Sequence, residues 1–162
     1  MSKITPCLWF DTTAEEAVAF YLDVFPDSRI LEISRYPESD HPAHLGRAGT
    51  VLTIAFELQG QTYTALNGGP QFQFTPAVSF QVMCDTQEEI DRYWAKLTAD
   101  APEEAQQCGW LQDKFGLSWQ VVPREIASLM AHADPAVSGR VMRALLTMTK
   151  IDIATLKAAA SP

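Results

Sequence analysis

Three histidines are the first residues to consider for metal chemistry. His41 and His44 are three positions apart, a separation at which two imidazoles can bind one metal ion. They fall in residues 37–49, a stretch rich in Pro, His, Gly and Arg that is typical of a solvated loop. His132 comes near the end of a predicted helix, where the helix dipole accounts for it without a metal. The pattern therefore favours exposed histidines, and it predicts no metal centre.

The cysteines and serines give little sign of nucleophilic catalysis. Cys7 and Cys84 stand between apolar neighbours on predicted strands, where a buried thiol normally serves packing. Cys108 precedes a predicted hairpin and has no recognisable base beside it. Ser118 lies two residues before Gln120, so both share one face of a strand. Ser118 is expected to line a cavity as a hydrogen-bonding group, and the catalytic residues remain unknown.

Hydroxyl and amide side chains recur at alternate positions of several predicted strands. Alternation places Ser79 and Gln81 on one strand face and favours a polar surface there. Apolar walls with a few convergent polar groups suit a small organic ligand. The alternative is that these side chains line a hydrated sheet surface or a dimer seam. The predicted ligand-binding set is Phe10, Thr64, Ser79, Gln81, Trp110, Ser118 and Gln120.

The elements that would position these residues begin with a strand at 4–10. Thr13 and Glu16 then form a capping-box pattern that predicts the start of an amphipathic helix. A strand at 28–36 follows, and after the polar loop comes a hairpin of strands at 50–58 and 62–66 around Gly60.

The same order returns in the second half of the chain. A strand at 77–84 leads to a second capping-box pattern at Thr86 and Glu89, and a second hairpin spans 110–122. This repeat predicts an α+β fold of two βαβββ modules, the second with a shorter middle. The alternative is an unrelated α+β fold whose helices happen to begin alike.

The chain is predicted to form a single domain, 1–162, with modules at 3–67 and 75–123. Residues 124–160 read as a helical tail outside the repeat. Within it, Asp134 is a predicted N-cap, with Pro135 at the first helical position.

The overall composition narrows the range of partners and compartments. Net charge is -8, from 12 basic and 20 acidic side chains, so phosphate backbones and anionic lipid surfaces would repel the chain. No long apolar run or signal peptide is recognisable. An odd number of cysteines without CxxC pairs favours a reducing, cytoplasmic compartment. Neither nucleic acid nor a membrane is expected as a partner.

Four stretches of the sequence carry a family resemblance. They are ITPCLWF at 4–10, AEEA with FY at 14–21, ALNGGP at 65–70, and WLQDKFGLSWQVVP at 110–123. Over about residues 3–148 the chain resembles the PhnB-like branch of the vicinal-oxygen-chelate (glyoxalase/bleomycin-resistance) superfamily, whose members include 3-demethylubiquinone-9 3-methyltransferase domains. The resemblance implies paired βαβββ modules with curved sheets, assembled as a homodimer.

The resemblance also implies where a metal would bind in metal-dependent members, which place His, Gln or Glu on four strands. The corresponding positions here are Pro6, Thr64, Ser79 and Gln120. Proline has no side-chain donor and neutral hydroxyls bind divalent ions poorly, so one glutamine remains. No metal or other cofactor is therefore expected.

The leading hypothesis is a metal-free domain of this type that binds or sequesters a small organic molecule in the cytosol. The alternatives are an enzyme of the superfamily with displaced metal ligands (a lyase, isomerase or dioxygenase) or a methyltransferase, as some relatives are labelled. Gly68 and Gly69 do not precede a predicted helix, unlike the glycine-rich turn that commonly binds adenosylmethionine. A third hypothesis is a dimeric scaffold clasped by the helical tail.

Overall fold

The computed structural model describes residues 3–161. Contacts among residues divide the chain into two compact units, the first ending at Gln73 and the second beginning at Phe74. None of the helices formed by the described residues has the combination of length and apolarity that crossing a bilayer requires.

The first unit is a four-stranded sheet with one helix, in the predicted order β–α–β–β–β. Its sheet order is β1-β4-β3-β2, with β1 parallel to β4 and the other neighbours antiparallel. The helix α1 packs against β3 and β4. The elements are β1 (Cys7–Phe10), α1 (Ala14–Val24), β2 (Ser28–Arg35), β3 (Val51–Leu58) and β4 (Gln61–Asn67).

The start of α1 differs from the prediction. Thr13 makes no side-chain cap, so the first capping box is wrong. Asn67, at the end of β4, caps the helix instead, because its Oδ1 accepts a hydrogen bond from the Ala14 N–H at 2.9 Å. The Asn67 amide also donates to Glu15 Oε2 at 2.9 Å. A long-range asparagine thus satisfies one of the orphan N–H groups at the start of α1, that of Ala14, whereas the predicted capping box would have bonded the Glu16 N–H.

The second unit is a three-stranded sheet with helices, and its sheet order is β5-β7-β6. Strand β5 is parallel to β7, and β6 is antiparallel to it. The elements are β5 (Ser79–Cys84), α2 (Gln87–Leu97), β6 (Trp110–Gln112), β7 (Ser118–Pro123), α3 (Ile126–Met130), α4 (Pro135–Leu146) and α5 (Ile153–Ala160).

The α+β class with two sheets is confirmed, but the second unit has one strand fewer than the predicted βαβββ module among the described residues. Residues 25–50 give the first unit room for β2 and a long loop, whereas residues 98–109 must connect α2 directly to β6. Pro102 and a short 3-10 helix, Glu103–Ala105, occupy that connection. Proline lacks the N–H that a ladder needs, which disfavours a strand here.

Local capping in the second unit follows the sequence closely. Thr86 accepts a hydrogen bond from the Glu89 N–H at 3.2 Å, while Glu89 Oε2 accepts from the Asp85 N–H at 2.7 Å. The capping box is therefore formed, but the Glu89 carboxylate bonds the N–H of Asp85, one residue before the N-cap Thr86. The predicted N-cap at Asp134 is also confirmed, because its carboxylate accepts from the Ala136 N–H at 2.8 Å.

The most distinctive sequence motif, D-x-F-G-x-S-W-Q, is an architectural device. Asp113 is 1% exposed. Its Oδ1 accepts hydrogen bonds from the N–H groups of Phe115 and Leu117 at 2.9 and 3.1 Å. Its Oδ2 accepts from the indole N–H of Trp119 at 2.9 Å. One buried carboxylate therefore closes the β6–β7 turn and fixes a core tryptophan of β7.

Candidate functional site

The candidate site lies on the face of the second sheet opposite the buried residues Val82 and Trp119. Ser79 is in register with Ser118, and Gln81 is in register with Gln120. Because paired residues of neighbouring strands project to the same face, all four side chains share one surface.

Strand β6 adds two more side chains to this face. Trp110 is in register with Gln120, and Gln112 is in register with Ser118. The structure thus brings together five of the seven predicted ligand-binding residues, namely Ser79, Gln81, Trp110, Ser118 and Gln120. Gln112 was not in the predicted set, but the antiparallel register of the hairpin places it on the same face.

Gln120 is held by hydrogen bonds from both sides. Its Nε2 donates to Ser79 Oγ at 2.8 Å, and its Oε1 accepts from Gln81 Nε2 at 3.2 Å. These bonds fix the orientation of the Gln120 amide and satisfy the Ser79 hydroxyl. The two amides and one hydroxyl therefore form a small network across β5 and β7.

Ser118 stands apart from that network. The residue is 2% exposed, and its Oγ is buried without any hydrogen-bond partner among the described residues. A buried hydroxyl in this state keeps its desolvation penalty uncompensated, at a cost of about 1–3 kcal/mol. Such a group on the wall of a cavity is a natural hydrogen-bonding point for a ligand.

A cavity of about 570 Å³ opens beside Ser118, within the size range of small-molecule sites. Trp110, Gln112 and Cys108 line its wall, and apolar residues of several other elements complete it. The apolar lining residues are Pro76, Ala105, Leu111 and Leu146.

A tight turn positions two of these lining residues. Gly109 has φ +83, and a Cβ there would lie 2.7 Å from Ile151 Cδ1 and 2.9 Å from the Val121 carbonyl oxygen. Only glycine fits this position. The N–H groups of Cys108 and Gly109 donate to the carbonyls of Met148 and Thr149 at 2.8 Å each. The segment after α4 therefore anchors the turn that carries Cys108 and Trp110.

The segment between α4 and α5 is bonded to α2. The Gln87 side chain accepts from the Ile153 N–H at 2.9 Å and donates to the Ile151 carbonyl at 3.0 Å. Lys150 forms an ion pair with Asp91 at 2.6 Å. The hydrogen bond from Lys150 lowers the pKa of the Asp91 carboxyl. The tail thus belongs to the packing of the second unit and supplies Leu146 to the cavity.

The two remaining predicted residues, Phe10 and Thr64, belong to the first unit, where they lie on opposite faces of the sheet. Phe10 is 4% exposed and belongs, with Leu8, to the buried core. The surface opposite the core is occupied on β1 by Cys7 and Trp9, which are in register with Thr64 and Leu66. Thr64 is half-buried on that opposite face.

Two cysteines differ in their burial. Cys84 is 1% exposed, and burial raises its pKa from 9.0 to about 11. Cys7 is exposed, which corrects the prediction of a buried thiol, although partial burial still raises its pKa.

The four positions implied for a metal do not form a ligand set. Within the first unit, Pro6 offers only its carbonyl, which accepts from the Thr64 N–H at 2.9 Å. Within the second unit, Ser79 and Gln120 are bonded to each other. No group of three His, Cys, Asp or Glu side chains among residues 3–161 could hold a metal ion. The donors present therefore do not fit a divalent cation.

The histidines take part in local contacts. His41 Nδ1 accepts from the Ala43 N–H at 3.2 Å, and the rings of His41 and His44 are 5.2 Å apart. His132 Nδ1 accepts from the Asp134 N–H at 3.1 Å. These bonds are typical of loop and helix-end histidines.

The first unit has a smaller cavity of about 380 Å³ near the start of α1. Arg47 reaches into its wall and donates to the hydroxyl of Tyr36 at 2.9 Å and to the Asn67 carbonyl at 3.3 Å. Its guanidinium carbon is 5.3 Å from the centre of the Tyr36 ring. These contacts tie the 37–49 loop to the end of β4.

Comparison with known proteins identifies the family. A family model described as 3-demethylubiquinone-9 3-methyltransferase matches residues 2–122. No curated protein is significantly similar to the chain.

Solved structures point the same way. The PhnB protein of Bacillus cereus is 39% identical, with 75% of this chain and 99% of that chain covered and a TM-score of 0.63. A Pseudomonas aeruginosa protein is 18% identical, with 76% and 98% covered and a TM-score of 0.61. Fosfomycin resistance protein FosX from Mesorhizobium loti is 12% identical, with 82% and 100% covered and a TM-score of 0.52. The last two share the fold alone, whereas the family match spans most of the sequence: this chain belongs to the 3-demethylubiquinone-9 3-methyltransferase, or PhnB-like, family.

Proposed function

We propose that the second unit binds a small, largely apolar organic molecule in the cavity beside Ser118, without a metal ion. The observation that carries this proposal is the unpartnered Ser118 hydroxyl, which is 2% exposed at the wall of a cavity of about 570 Å³. A ligand group that accepts or donates one hydrogen bond there would remove a desolvation penalty that the free protein retains.

The other walls of the cavity support the same class of ligand. The half-buried Trp110 ring offers a large flat contact surface, and its indole N–H makes no hydrogen bond to a described residue. Gln112 adds an amide that is likewise unbonded within the described chain. Most of the remaining lining is apolar, which suits binding by burial of an aromatic or aliphatic body.

Sequestration is proposed here ahead of methyl transfer, despite the family's description. Gly68 and Gly69 follow β4, and the next element is the strand β5. A Cβ on Gly68 would lie 2.3 Å from the Trp9 ring, and the Trp9 indole N–H donates to the Gly69 carbonyl at 2.8 Å. The glycines therefore make room for a tryptophan, and they do not form a strand-to-helix cofactor turn.

The test is a thermal-shift screen of small neutral and aromatic molecules on the full chain. A ligand present at about a hundred times its Kd should stabilise the folded state by about 2.7 kcal/mol, which raises Tm by roughly 5–10 °C. Trp110→Ala should remove that shift. Trp94→Ala, a change of the same kind on α2 away from the cavity, should retain it.

Two results would contradict the proposal. One is a screen in which no compound raises Tm at millimolar concentration. The other is elemental analysis that finds about one divalent ion per chain, whose removal by a chelator abolishes binding. The acidic charge and the three free cysteines make the cytosol the proposed compartment for this activity.

A further inference from the structure

The cavity of the second unit has one charged residue among its described lining residues, and that residue is acidic. Glu104 lies on the short 3-10 helix Glu103–Ala105, exposed at the cavity wall. Resting on the binding function proposed above, we propose that this cavity selects small arylalkyl amines, whose ammonium group is positively charged at neutral pH, over neutral and anionic molecules of the same shape.

The Glu104 carboxylate is not paired with a basic side chain within the part of the chain that the structure describes. Glu104 forms no ion pair or side-chain hydrogen bond with the described residues. Several basic side chains of the same unit are paired with carboxylates elsewhere. These pairs are Lys114 with Asp100, Arg124 with Asp85, Lys150 with Asp91 and Lys157 with Glu125. The net charge of -8 adds a background of the same sign.

An aromatic side chain in the same cavity favours the same ligand charge. The negative face of an indole attracts a cation placed over it, and tryptophan is the strongest of the aromatic residues in this respect. Trp110 lines the cavity together with Glu104. A carboxylate and an indole face both stabilise an ammonium group, and both disfavour a carboxylate or phosphate on the ligand.

The neutral polar groups of the cavity do not restore a preference for anions. Ser118, Gln112 and Gln107 can donate hydrogen bonds to a ligand, but they also accept them, since each carries an oxygen acceptor. They recognise a polar atom of the ligand without selecting its charge. Charge selection in this cavity therefore rests on Glu104 and Trp110.

The experiment uses three probes that share a phenyl ring and a two-carbon linker: 2-phenylethylamine, 2-phenylethanol and 3-phenylpropanoate. At neutral pH these are cationic, neutral and anionic. Their affinities for the full chain are measured by titration of backbone amide NMR signals, which also shows whether residues around Ser118 and Trp110 respond. The amine is expected to bind roughly three- to tenfold more tightly than the alcohol, with the carboxylate weakest.

Glu104→Gln should reduce the preference for the amine over the alcohol by about three- to fivefold. Glu103→Gln is the matched control, because it removes the neighbouring charge on the same short helix from a side chain that does not line the cavity. It should leave the order of affinities unchanged.

Each outcome decides between the two proposals. If none of the three probes shifts the cavity residues, the binding function itself fails and the charge selection fails with it. If the alcohol or the carboxylate binds as tightly as the amine, the cavity is a binding site but the charge selection is refuted. If the amine is preferred and Glu104→Gln leaves that preference intact, the assignment to Glu104 is wrong.

Discussion

Replacing Ser118 with alanine should make the free protein more stable and its ligand complex weaker. The Ser118 hydroxyl is buried without a partner, so its removal deletes an uncompensated polar group and leaves no orphaned donor behind. Ser79 is the matched control, because it is in register with Ser118 on the neighbouring strand and undergoes the same chemical change. Its hydroxyl, however, accepts a hydrogen bond from Gln120 at 2.8 Å.

The expected effects have opposite signs. An unsatisfied buried hydroxyl costs about 1–3 kcal/mol, so Ser118→Ala should raise the free energy of unfolding by about 1 kcal/mol after the loss of its packing contacts. Ser79→Ala loses one hydrogen bond to a neutral amide, worth about 0.5–1.5 kcal/mol. For a chain of this length, 1 kcal/mol corresponds to a Tm change of roughly 2–4 °C.

Urea unfolding followed by far-UV circular dichroism measures both variants against the wild type, and titration with 2-phenylethanol measures binding. Ser118→Ala should weaken that binding about five- to tenfold, which corresponds to about 1–1.4 kcal/mol. The reasoning is refuted if Ser118→Ala destabilises the protein as much as Ser79→Ala does. That result would mean that the Ser118 hydroxyl is already satisfied in solution.

Three further substitutions test the second unit. Gly109→Ala should destabilise by about 3 kcal/mol or more in urea unfolding, because it adds a steric clash to an unfavourable φ. Gly116→Ala, with φ +84 and open space around it, should cost only about 1–2 kcal/mol, and equal losses for the two variants would contradict the clash. Asp113→Ala should cost at least about 3 kcal/mol by the same assay, since three N–H groups lose a charged acceptor, and a loss below 1 kcal/mol would count against its architectural role. Burial raises the pKa of the Cys84 thiol in the folded state, so the protonated thiol contributes stability that is fully present below pH 9.0 and is lost as pH rises through about 11. Unfolding curves of Cys84→Ala measured across this pH range should lack this part of the alkaline loss of stability. Curves of Cys7→Ala should retain it.

The sequence predicts most of the secondary structure because apolar periodicity and turn residues act locally. The β6–β7 hairpin follows from the turn around Gly116, and α4 begins at the predicted Asp134 cap. The first capping box is not formed, and the side chain that caps the start of α1 comes from Asn67, far along the chain. The presence of a threonine at position 13 gives no information about whether a distant side chain will cap the helix.

Which face of the sheet a side chain occupies could be predicted only for strands with one polar face. In β7, Ser118 and Gln120 alternate with apolar residues, so the pattern identifies the cavity side. In β1, Cys7, Leu8, Trp9 and Phe10 are all apolar, and alternation cannot choose between the two faces. The sequence therefore grouped Phe10 with Thr64, whereas the structure places the two side chains on opposite faces of the sheet.

The lining residues that the sequence missed come from elements without a fixed register to the sheet. Leu146 lies at the end of α4, and Glu104 lies on a three-residue 3-10 helix in the connection between α2 and β6. Their positions depend on tertiary hydrogen bonds, such as those from Cys108 and Gly109 to the segment after α4. Spacing along the chain does not encode such contacts.

The polar face of the second sheet contains both bonded and unbonded side chains. Ser79 and Gln120 are hydrogen-bonded to each other, and Gln81 donates to Gln120. A side chain that is already bonded gains little from a ligand, because binding must first break that bond. Ser118 is the member of this face that the network leaves out, although it is in register with Ser79. We therefore expect a ligand on this face to be recognised by the buried Ser118 hydroxyl beside the cavity rather than by the bonded side chains of Ser79 and Gln120.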